Sequence, residues 1–89
     1  MNRFLIEVPH EAGKEACQQA TKTLLATGSH YLTQADFGCV DGEHKAWIIV
    51  ETEDKQAARA ILPPIYRADA RIITLKKLEE IRESETSKQ

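Results

Sequence analysis

The sequence predicts an α+β fold with the element order βαββαβ: a four-stranded antiparallel sheet with two helices on one face. Three observations predict it. Two stretches with helical spacing of apolar residues alternate with runs of strand-forming residues. An Asp41-Gly42 pair separates two of those runs. The length, 89 residues, suits one domain and leaves no room for a second. We expect that domain over residues 1–82 and a polar, frayed C-terminal tail over residues 83–89.

The elements follow in order. Residues 4–8 are a short apolar run closed by Pro9 and read as the first strand. Over residues 11–26, Ala12, Ala16, Ala20 and Leu24 recur every fourth residue, and Cys17 and Leu25 widen the stripe. Polar side chains fill the opposite side, so the segment is an amphipathic helix; Glu11 and Glu15 suit its dipole and Gly28 its stop. Residues 31–40 and 43–51 flank Asp41-Gly42, a strong signal for a two-residue hairpin turn. Thr52 or Asp54 caps a second helix that carries Ala57, Ala58, Ile61 and Leu62 and ends at Pro63-Pro64. Residues 70–75 form the last strand, and residues 76–82 add a helical turn packed through Leu78 and Ile81. This is the split-βαβ, or ferredoxin-like, order. Right-handed crossovers then place both helices on one face and give the strand order 4-1-3-2.

Counting outward from Asp41-Gly42 fixes the hairpin register. Cys39 faces His44, Phe37 faces Ala46 and Asp36 faces Trp47. Because side chains alternate, Ala35, Phe37, Cys39, His44, Ala46, Ile48 and Val50 share the helix-covered face with Phe4, Ile6, Val8 and Ile72. The other face collects Leu32, Gln34, Asp36, Gly38, Lys45, Trp47 and Ile49, with Leu5, Glu7, Arg71, Ile73 and Leu75. An uncovered sheet face is ordinarily polar, and Trp47, Ile49, Leu5, Ile73 and Leu75 on this one predict that something covers it.

That layout resembles the dimeric α/β-barrel superfamily, in which small βαββαβ proteins, among them muconolactone isomerases and YCII-like proteins, pair their open sheet faces. The resemblance covers residues 4–75 and rests on architecture and on the mixed face. It implies a homodimer, and it carries no catalytic motif over to this chain.

Composition limits the partners. Hydrophobic residues make up 42% and charged residues 29%, ordinary globular usage that argues against disorder. The 12 basic and 14 acidic side chains are interspersed, for a net charge of -2, which leaves no cationic surface for nucleic acid. The N-terminal apolar run breaks at Glu7, too early for a signal peptide or a membrane span, so we expect a cytoplasmic protein without a membrane partner. In that reducing compartment Cys17 and Cys39 are expected as two free thiols rather than a disulfide.

Two constellations are candidates for chemistry. Cys39 and His44, as cross-strand neighbours, suit a transition-metal site for Zn, Ni or Cu, or a thiolate activated by imidazole. A structural site needs about four ligands, and the nearby His30 and Asp41 lie off that face. A small buried thiol beside a core-edge histidine is the commoner arrangement. On the open face, Glu7, Asp36 and Arg71 surround Trp47, with Ile49 beside it. These suit a small polar-aromatic ligand or, more ordinarily, ion pairs and a Trp anchor at an interface. His10, Tyr31 and Tyr66 read as loop or packing residues, Cys17 as inert, and Lys76-Lys77 as a solvated helix face. No Gly-rich phosphate loop, CxxC, HExxH or GxSxG occurs. The leading expectation is a homodimeric small-ligand-binding module that uses the open face. The alternatives are an isomerase- or monooxygenase-type enzyme, with Asp36 or Glu7 moving a proton and His10 or His44 assisting, or a metal-binding protein centred on Cys39 and His44.

Overall fold

The structure is a computed structural model that describes residues 1–26 and 30–87; Gly28, the expected stop of the first helix, lies outside them. The elements run β1 (Asn2–Pro9), α1 (Lys14–Ala26), a 3₁₀ turn at Leu32–Gln34, β2 (Asp36–Phe37), a second 3₁₀ turn at Cys39–Asp41, β3 (Lys45–Thr52), α2 (Lys55–Ala60), α3 (Pro64–Arg67), β4 (Arg71–Leu75) and α4 (Leu78–Ser87). The fold is α+β, with four antiparallel strands in the order β2-β3-β1-β4. No described helix is long and apolar enough to cross a membrane.

Strand alternation builds the core. Phe4, Ile6 and Val8 of β1, Ala46, Ile48 and Val50 of β3, and Ile72 of β4 are buried on one face. They form a single cluster with Leu24 of α1, Ala58 of α2, and Leu32 and Leu62 of the connections. Burying each large aliphatic side chain contributes about 1.5–3 kcal/mol. The buried residues of β1, β3 and β4 are the ones that strand alternation assigns to the helix-covered face.

The expected strand over residues 31–40 shrinks to Asp36–Phe37. Gln34 N–H donates to Tyr31 O (3.1 Å) and Ala35 N–H to Leu32 O (3.3 Å), so this stretch satisfies its backbone locally as a 3₁₀ turn. The turn swings Leu32 into the core, where it is 2% exposed, rather than onto the open face. The two-residue turn at Asp41-Gly42 is also corrected. Pairing stops at Phe37↔Ala46, and Gly38 N–H bonds Lys45 O (3.1 Å), leaving residues 39–44 as the loop. Gly42, at φ 80°, closes the 3₁₀ turn in the left-handed region that glycine tolerates. The longer loop adds residues evenly on both sides of the same centre, so Asp36↔Trp47 and Phe37↔Ala46 pair as counted. Trp47 therefore stays on the face away from the core.

Other boundaries move for simple reasons. Helix α1 begins at Lys14 rather than residue 11, and Leu25 is 57% exposed, so the buried stripe is narrower than expected. Asp54, not Thr52, caps α2, its carboxylate accepting from Ala57 N–H at 2.7 Å. Pro63-Pro64 ends one helix and starts another: lacking N–H groups they cannot continue α2, yet Pro64 fits the first turn of α3. This corner is tied by two guanidinium groups. Arg59 donates to the carbonyls of Arg67 and Ala70, and Arg67 donates to those of Leu62 (2.8 Å) and Ala60 (3.1 Å). Helix α4 extends past the expected turn and through most of the expected tail, to Ser87, with Glu79 and Glu80 in its first turn favouring the dipole. Leu78 (70% exposed) and Ile81 (43%) do not pack as anticipated.

Candidate metal and thiol centre

One end of the sheet gathers four soft or borderline donors. The β1–β3 ladder reaches Pro9↔Lys45 and continues one step further, because His10 N–H donates to His44 O at 3.0 Å. His10 and His44 thus sit side by side, two residues beyond the buried Val8 and Ala46, with their rings edge-on at 5.8 Å and 69°. Cys39 enters from the 3₁₀ turn after β2, which bonds from Asp41 N–H and Glu43 N–H to Gly38 O hold in place (both 3.0 Å). Cys17 enters from the first turn of α1, its N–H bonded to Gly13 O at 3.1 Å.

The donor atoms of His10, Cys17, Cys39 and His44 all lie within 4.8 Å of one another, and all four residues are half-buried. Cys39 Sγ lies 3.4 Å from His10 Nε2, and Cys17 Sγ lies 3.7 Å from His44 Nδ1. His10 Nδ1 is 2.9 Å from Glu11 O. A carbonyl only accepts, so the Nδ1 contact is satisfied when Nδ1 donates, and Nε2 is the nitrogen that faces the sulfur, the orientation that a metal-ligating imidazole takes. Phe37 flanks the His10 ring at 6.3 Å. A shallow cleft of about 320 Å³, lined by Gly13, Lys14, Cys17, Cys39, Val40 and His44, opens onto the group. His10 also lines a wider cleft of about 550 Å³ with Ile65, Tyr66 and Asp69.

Three expectations change here. Cys17 and Cys39 are joined as a disulfide rather than standing as free thiols, because the first turn of α1 and the 3₁₀ turn bring them face to face. Cys39 and His44 are not a strand pair, since β2 ends at Phe37; Cys39 Sγ contacts His10, and Cys17 Sγ contacts His44. Among the described residues, neither His30 nor Asp41 belongs to the group; His10 and Cys17 do. A signal for His10 was available: it continues the alternation of Phe4, Ile6 and Val8 past Pro9 onto the covered face.

The open face brings together part of the second constellation. Trp47 Nε1–H donates to Glu7 Oε1 at 3.2 Å. Lys45 Nζ (3.7 Å) and Arg71 Nη1 (3.4 Å) pair with the two Glu7 oxygens. Glu7 is 14% exposed at its side chain and holds three donors. Asp36 pairs with Trp47 only through the backbone ladder; its side chain is exposed and makes no ion pair among those at Glu7. Gly38 lies under the indole, where a Cβ would stand 2.7 Å from the ring. Ile49, 59% exposed, is the most open of the face's large apolar residues.

No protein-family model, curated protein or solved structure matches this chain.

Proposed function

We propose that the reduced protein binds one borderline-soft transition-metal ion of the zinc class through His10, Cys17, Cys39 and His44. The observation that carries this reading is the convergence of two cysteine sulfurs, which reduction would free as thiols, and two imidazoles from separate parts of the chain within 4.8 Å. Zn–S bonds of about 2.3 Å and Zn–N bonds of about 2.0–2.1 Å put tetrahedral neighbours roughly 3.3–3.8 Å apart. The two sulfur–nitrogen separations, 3.4 and 3.7 Å, already fall in that range. An N₂S₂ donor set suits zinc better than the oxygen-seeking magnesium or calcium. With four protein ligands no coordination position is left for water, so the site holds an ion rather than activating a substrate. The test is metal analysis and Zn²⁺ titration against a competing chelator, on reduced, tag-free protein. We expect one ion per chain, lost in Cys39→Ser and weakened in His10→Gln. Reduced protein that takes up no Zn²⁺ overturns the reading.

A second reading concerns the open face, where Ile49 is left exposed beside Leu5, Trp47, Ile73 and Leu75. We propose that this face pairs with a second copy of the chain, in keeping with the ferredoxin-like architecture. Supporting that architecture, the order β2-β3-β1-β4 counted from the opposite edge is 4-1-3-2. Small-ligand binding between the paired sheets belongs to this reading. The enzyme alternative draws less support, because both Glu7 oxygens are occupied. Light scattering at micromolar concentration tests the assembly; a monomer there removes it.

A further inference from the structure

We infer that thiol–disulfide exchange at Cys17–Cys39 gates the metal site, so that the oxidised chain excludes the ion and the reduced chain binds it. This rests on the zinc-class reading and adds its regulation. The two sulfurs that would ligate the ion are the two sulfurs joined in the disulfide. Bonded to each other they carry no thiolate charge, and thiolates are what zinc requires. The two states are therefore mutually exclusive at the same atoms.

The frame around the pair is built to serve both states. His10 and His44 are held by the β1–β3 ladder, which does not depend on the sulfurs. Cys39 rides on a 3₁₀ turn closed by its own backbone bonds, and Cys17 on a 13-residue helix. Rotation of two cysteine side chains then separates the bonded and ligating arrangements, with both imidazoles left in place. The cleft lined by Lys14, Cys17, Cys39, Val40 and His44 gives a reductant a route to the half-buried sulfurs.

The chemistry balances with a dithiol as reductant. One dithiol thiolate attacks a sulfur of the pair, the Cys17–Cys39 bond breaks, and the second thiol resolves the mixed disulfide. The reductant leaves as its own disulfide, having supplied two electrons and two protons, and the chain holds two thiols. Binding M²⁺ then releases those two protons to solvent. In the reverse direction, an oxidised dithiol takes two electrons from the ligating thiolates and two protons from solvent, leaving as the dithiol, and the ion is ejected as the Cys17–Cys39 bond forms. Zinc itself exchanges no electrons, so the ligands alone carry the switch.

The test uses the full chain, prepared fully reduced with a phosphine and fully oxidised with a small-molecule disulfide, and titrated with Zn²⁺ in each state. Loss of outer-sphere partners alone costs about 10–100-fold in metal affinity, so losing two ligating thiolates should weaken binding by more than about 100-fold. Oxidising the loaded protein should release one Zn²⁺ per disulfide formed, as read with a chromophoric chelator. His44→Gln, which keeps both cysteines, should still form the disulfide while binding Zn²⁺ more weakly when reduced. Equal Zn²⁺ affinity in both states overturns the gating and leaves the metal site standing. Absence of binding in the reduced state overturns both.

Discussion

Two corners of this small molecule fasten helices to the sheet, and they do it with opposite chemistry. Where α2 and α3 turn back to β4, Arg59 and Arg67 between them bond four backbone carbonyls. Where β1 passes into α1 beside the hairpin loop, the fastening is Cys17–Cys39 with a histidine beside each sulfur. A guanidinium stays charged and has no redox chemistry, so the first corner is the same under all physiological conditions. The second is built from the two residue types whose bonding changes most readily with redox state and metal supply. Stability alone does not require that choice, since the arginine corner shows a plainer way to anchor a loop.

Breaking each corner should sharpen the contrast. The largest loss is expected for Cys17→Ala with Cys39→Ala in metal-free, oxidising buffer. Removing a crosslink with a sequence separation of 22 costs about 3 kcal/mol by chain entropy. Chemical denaturation checks it, and the difference should vanish when the parent protein is reduced and metal-free. A slightly smaller loss, about 2 kcal/mol, is expected for Arg59→Met, because one hydrogen bond to a charged group is worth about 1.5–3 kcal/mol and water takes over the second carbonyl at this half-buried corner. That loss should be the same with and without reductant; a redox-dependent loss would remove the distinction between the corners. The smallest effect is expected for Gly38→Ala, where the new Cβ forces the Trp47 ring to shift at about 1–2 kcal/mol. Near-ultraviolet circular dichroism reports that shift, and an unchanged indole signal contradicts the close packing.

The same contrast explains what the sequence made legible. The hairpin parity was readable because it depends on a count of a few neighbouring residues, and Asp36↔Trp47 survives even though the loop is six residues long rather than two. The core residues of β1 and β3 were readable by alternation. Leu32 was misplaced because alternation was carried through a stretch that folds as a 3₁₀ turn. Half of the candidate metal site was recognised, Cys39 and His44, and half was not. Placing His10 beside His44 requires the register between β1 and β3, strands joined through a helix and a hairpin, for which no local count exists. Placing Cys17 requires the rotation of α1 on the sheet, and a cysteine next to an alanine stripe gives no hint of it.

The indole resting on Gly38 has one more consequence. The chain contains a single tryptophan, and its ring lies against the residue that immediately precedes Cys39. Any strain that crosslinking or coordination puts on that turn reaches the fluorophore through one peptide unit. If the proposed metal and redox states exist, its emission spectrum is a label-free optical gauge of them, readable in dilute solution on the unmodified polypeptide.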